Sequence, residues 1–97
     1  MITAAQIKAA RALVSMDQRK LADLAGLSLP TIQRMEASDG VVRGNVDSLM
    51  KLMAALDAAG IEFLAEGTAS PGGGRGVRLK RATSALDSDL VERKSNL

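Results

Sequence analysis

The chain has 97 residues, 13 lysines and arginines against 11 acids, a net charge of +2, and neither cysteine nor histidine. That is room for one domain with a tail, without disulfides, thiolate metal sites or a cysteine nucleophile, and without the imidazole that most general bases and metal sites use. A single aromatic, Phe63, gives no platform for stacking single-stranded bases.

The opening stretch MITAAQIKAARALV carries lysine and arginine within its apolar stripe, which is not the layout of a signal peptide. No apolar run approaches the ~20 residues of a membrane span. A cytoplasmic protein with no membrane contact is expected. The same stretch predicts a first helix from Thr3 to Val14. Thr3 and Gln6 form a T-x-x-Q capping box, and Ile7, Ala10, Leu13 and Val14 recur at helical spacing.

Two shorter helices follow, Asp17 to Ala25 and Ser28 to Ala37. Asp17 and Ser28 are suited to cap them. Met16 with Leu21, and Leu27 with Ile32, are spaced as hydrophobic staples, one before each helix. Leu21, Leu24 and Ala25 mark the inner face of the first, and Ile32 and Met35 that of the second. Gly26 lies between them, where a tight turn at a helix C-terminus needs the left-handed backbone that glycine accepts. Ala22 is small enough for two helices to cross closely. The pattern is a helix-turn-helix.

The segment SDGVVRGN reads as a loop. Asn45 then caps a fourth helix running to about Ala59, with Val46, Leu49, Leu52, Met53 and Leu56 as its stripe. Gly60 ends it, and Ile61 is placed to fold back on Leu56. Alternation in Ile61-Glu62-Phe63 and in Val77-Arg78-Leu79-Lys80 predicts strands, joined through TASPGGGRG into a hairpin over 61–81. Such a hairpin is marginal alone. Its apolar face, Ile61, Phe63, Val77 and Leu79, must pack on the fourth helix or on a second copy of itself. The second copy, joining two subunits edge to edge, is preferred, which makes these four residues a dimer interface. Arg75, Arg78, Lys80 and Arg81 form a dense basic run, read first as the charged guard of an edge strand. Residues 82–97 hold too few apolar groups to offset ordering entropy and are expected to be a disordered tail.

Gln18, Ala22, Gly26, Ile32 and Glu36 fall where the lambda-repressor/Cro type regulators, the XRE family, place Gln, Ala, Gly, an apolar residue and Glu. LSLPTIQRMEAS resembles that family's recognition helix. The resemblance implies a mainly α fold: a lambda-repressor-like DNA-binding domain of four to five helices over residues 1–60, here followed by the hairpin. It also implies that Arg11 pairs with Glu36, clamping the first helix onto the third, and that the outer face of the third helix enters the DNA major groove.

On that face stand Leu29, Pro30, Gln33 and Arg34, the expected base contacts. Arginine donates two hydrogen bonds to guanine, glutamine pairs with adenine, and an apolar side chain meets the thymine methyl. Relatives carry polar residues where Leu29 and Pro30 stand, so readout by shape and methyl contact is expected there. Gln18, Ser28, Thr31, Arg43 and Asn45 are the expected phosphate contacts, from helix N-termini and the loop before the fourth helix. Arg19 and Lys20 read better as a solvated face.

The implied function is transcriptional regulation, with repression the expected direction, by a homodimer on a two-fold symmetric operator with half-sites ~34 Å apart. The alternative is an antitoxin-like or adaptor module that holds a partner protein and binds DNA secondarily. Neither needs a cofactor or metal. PGGGRG lacks the Lys-Ser/Thr of a nucleotide loop, and no enzymatic function is expected.

Overall fold

The computed structural model describes residues 2–67 and 71–80; Arg81 and the expected tail 82–97 lie outside them. Four helices precede a two-stranded sheet: α1 (Ala4–Leu13), α2 (Gln18–Ala25), α3 (Leu29–Glu36), α4 (Val46–Ala58), β1 (Ile61–Leu64) and β2 (Gly76–Leu79). The chain is mainly α with an antiparallel hairpin. Among the described residues no helix is long and apolar enough to cross a membrane.

Each helix opens on a side chain that satisfies an orphan amide. Thr3 and Gln6 close their box reciprocally. Asp17 accepts from the Lys20 N–H at 2.7 Å, Ser28 from Thr31 at 3.2 Å, and Asn45 from Ser48 at 2.7 Å. Each such cap contributes about 1 kcal/mol. Gly26 takes φ +70° at the α2–α3 turn, the left-handed conformation that a side chain would disfavour.

Ile7, Leu21, Ile32, Val42, Leu52, Leu56 and Ile61 are fully buried in one core. Met16 and Leu27 pack against this core, which includes Leu21 and Ile32. Three expected core residues are outside it: Leu13, Leu24 and Val46 are exposed. On α2 the buried set is Leu21, Ala22 and Ala25, because α2 meets both α3 and α4 and its inner face rotates toward Ala22. Leu13 and Val46, in the last turn of α1 and the first of α4, turn to solvent, whereas Val14, the next residue after Leu13, packs against the core. The segment read as a loop also holds a core residue: Val42 is buried, and its N–H donates to the Ile2 carbonyl at 2.9 Å.

The hairpin pairs Ile61 with Leu79 and Phe63 with Val77. Its apolar face packs on its own chain, β1 on α4 and β2 on α1. The expectation that the Ile61 side chain serves a dimer interface is therefore corrected: Ile61 is 1% exposed, its side chain inside the monomer core. Phe63 and Val77 pack against that core, while Leu79 remains partly exposed. Gln6 completes the attachment, donating its side-chain amide to the carbonyls of Gly76 at 2.8 Å and Leu64 at 3.3 Å.

Candidate nucleic-acid interface

The inner face of α3 is fixed by Ile32, Met35 and Glu36, all buried. A buried carboxylate must be paired or it is costly. Arg11 Nε donates to Glu36 Oε2 at 2.6 Å and Nη2 to Oε1 at 2.7 Å. Its Nη1 donates to the Met16 carbonyl at 3.0 Å. The guanidinium thus ties α1, the α1–α2 turn and α3 at one point. The hydrogen bond with Glu36 raises the Arg11 pKa above its ordinary value, against the opposing effect of partial burial.

Gln18 joins the same cluster, donating Nε2 to Glu36 Oε1 at 3.1 Å. Sequence reasoning gave this side chain only a phosphate contact and missed its structural one. An amide nitrogen carries two hydrogens, so one bond to Glu36 leaves a second donor at the N-terminus of α2. Gln6 was likewise read only as half of a cap, although it also holds the hairpin. Neither partnership has a local spacing that could reveal it, since the partners are 18 positions away or more.

With that inner face locked, Pro30, Gln33, Arg34 and Ala37 face solvent, and Leu29 and Thr31 lie half-buried at the flanks. Ser28 and Thr31 share a 2.8 Å hydroxyl hydrogen bond. Arg34 Nη2 reaches the Thr31 hydroxyl at 3.5 Å. Thr31 and Arg34 form one side of a cleft of about 160 Å³, with Arg43, Gly44, Asn45 and Ser48 on the other. Two arginines and the N-terminus of α4 therefore converge on one small polar cleft. Asn45 Oδ1 is engaged in capping α4, which leaves its amide N–H groups as donors.

Charge separates this face from the hairpin. Among the described residues, Arg34 and Arg43 have no acidic partner, whereas Arg78 pairs with Glu62 at 2.8 Å and Lys80 with Asp57 at 2.7 Å. Two members of the basic run, Arg78 and Lys80, are therefore neutralised in space, while Arg75 has no acidic partner among the described residues. No cluster of His, Cys, Asp or Glu among the described residues is arranged to hold a metal ion. Compared with known proteins, the chain matches no family model, and no curated protein matches it significantly.

Proposed function

We propose that the chain is a sequence-specific binder of double-stranded DNA that regulates transcription in the manner of the lambda-repressor/Cro type proteins. α3 lies in the major groove. Pro30, Gln33 and Arg34 meet base edges, with Leu29 beside them for a thymine methyl. Gln18, Ser28, Thr31, Arg43 and Asn45 hold the flanking phosphates, positioning the helix without choosing sequence. Two copies bind a two-fold symmetric operator, because one short helix reads only a few base pairs.

The observation that supports this most directly is the contrast between the two faces of α3. One is immobilised by a buried ion pair, and the other presents exposed, unpaired donors beside a second arginine. A helix held that firmly, with its polar face left open, is built to present that face. Selection of bound duplexes from a random pool at fixed salt tests the reading. Enrichment of a two-fold symmetric motif is expected. A pool that stays random refutes it.

A further inference from the structure

We propose that the free edge of β1, with the apolar groove beside it, pairs with the same edge of a second copy of this chain, joining two hairpins into one four-stranded antiparallel sheet. The proposal rests on the DNA-binding reading for the need of two copies. It keeps the edge-to-edge joining expected of the hairpin, and assigns it to the outer edge of β1 and the α4 groove beside it because the chain covers most of the hairpin's apolar face itself.

Main-chain hydrogen bonding locates the rim. Lys80 N–H donates to the Gly60 carbonyl at 2.8 Å, and the register sets Glu62 against Arg78 and Leu64 against Gly76. Bonded and non-bonded pairs alternate in an antiparallel ladder, so 62–78 and 64–76 are the bonded pairs. The N–H and C=O groups of Ile61 and Phe63 therefore point away from β2. No main-chain partner among the described residues meets them. Such a row of open groups is a template for another strand.

A groove of about 450 Å³ runs along this edge, with Met50, Met53 and Ala54 of α4 on one side and Ile61, Glu62 and Phe63 on the other. Successive strand side chains point to opposite faces, so three consecutive residues can line one wall only if that wall is the strand's edge. Met50 is 64% exposed, a large apolar side chain at the mouth of a groove that a strand would fill.

Charge selects both the edge and its occupant. The acids at the rim, Glu62 and Asp57, are each paired with a cation of β2 or its end, Arg78 and Lys80. The rim is neutral, so two copies approach without repulsion. The far edge of the hairpin starts beside Arg75, which has no acidic partner among the described residues, and two such edges repel. Within β1, a two-fold axis at Glu62 would set like carboxylates directly opposite, which is destabilising. An axis at Phe63 sets the two rings opposite, with Ile61 facing Ala65 of the partner subunit. Both α4 helices then lie on one face of the joined sheet, and their methionines cover the paired rings. The contact is isologous and lengthens a sheet that is marginal at two strands.

Sedimentation of the full chain over a concentration series, without DNA, tests the proposal. The expected species has twice the 10.1 kDa chain mass. Met50→Glu is expected to raise the dimer dissociation constant about tenfold or more, with the melting temperature of the monomer unchanged. Amide exchange on the unmodified chain gives an independent readout: the Ile61 and Phe63 N–H groups should slow as concentration rises. A chain that stays monomeric at its highest soluble concentration overturns the proposal. So does a dimer in which Met50→Glu has no effect and both amides exchange at a concentration-independent rate. A monomer that still selects a DNA motif would sink the paired edge alone and leave the DNA reading intact.

Discussion

Arg11 and Glu36, 25 positions apart, meet through two nearly parallel hydrogen bonds of 2.6 and 2.7 Å, with Glu36 only 4% exposed. The guanidinium also donates to the Met16 carbonyl, so removing either partner strands a buried polar group. Arg11→Met or Glu36→Leu alone should cost about 3 kcal/mol. The double variant should lose clearly less than the sum, because neither charge is then left alone. Urea unfolding of all four proteins, with comparable slopes, measures the coupling; strict additivity would show that the two side chains do not act together. The raised pKa of Arg11 means its contribution is fully present below the unfolded guanidinium value. It is lost only as pH climbs through the still higher folded value. Arg11 therefore stays charged in the clamp at any ordinary working pH.

Gln6 supports a second prediction. Its side chain is buried, accepts from the Thr3 N–H at 2.9 Å and donates to carbonyls on both strands. Gln6→Leu keeps the volume but leaves those groups without a partner. A loss of about 1–3 kcal/mol is expected. Gln6→Glu should be worse, since a carboxylate has no hydrogen to offer the two carbonyls. Hydrogen exchange should show the amides of β1 and β2 opening before those of α2 and α3. Uniform loss of protection across the chain would place the effect elsewhere.

Local rules carried the reading as far as they reach. Caps, staples and the glycine turn act over three to five residues, so Asp17, Ser28, Asn45 and Gly26 were legible directly. Which side of α2 faces inward was not, because that depends on α4 arriving against Ala22 and Ala25. Leu24 fits the helical stripe as well as Ala25 does, and only tertiary packing leaves it outside. Val42 was hidden for the opposite reason: it and Val41 form only a two-residue apolar patch between Gly40 and Arg43, with no helical or strand spacing, yet its N–H pairs with Ile2. On the candidate interface, residue type and spacing pointed to Arg34 and Arg43 separately. Their convergence on one cleft depends on how α4 approaches α3. The neutralisation of Arg78 and Lys80 is likewise a matter of which acids the fold brings across.

Backbone conformation alone gives a third prediction. A Cβ on Gly26 would meet nothing within 4 Å, yet φ there is +70°. Gly26→Ala should therefore cost about 1–2 kcal/mol through the left-handed conformation and not through a clash. Ser15, in the α1–α2 turn, has φ +53° without being glycine. Ser15→Gly should relieve strain there and be neutral or stabilising by up to about 1 kcal/mol, the greater freedom of glycine in the unfolded chain offsetting part of the gain. Thermal melts should show Gly26→Ala lowered and Ser15→Gly unchanged or raised. A stable Gly26→Ala protein would show that the turn tolerates a side chain.

Arg34 and Arg43 line the same cleft but are assigned different work, and that difference can be measured. Arg34 stands on the exposed face of α3 beside Gln33, and under the proposed function its guanidinium meets a base edge. Arg34→Ala should weaken binding to the selected motif by about 1–3 kcal/mol and relax the preference at one base pair in each half-site. Arg43 precedes α4, and under the proposed function it holds a phosphate. Arg43→Ala should weaken binding to all sequences alike and reduce the slope of log affinity against log salt by about 1 per subunit. Titrations of matched and scrambled duplexes at several salt concentrations separate the two. If Arg34→Ala lowered affinity for both duplexes equally, Arg34 would be a phosphate contact too, and base choice would fall to Gln33, Pro30 and Leu29.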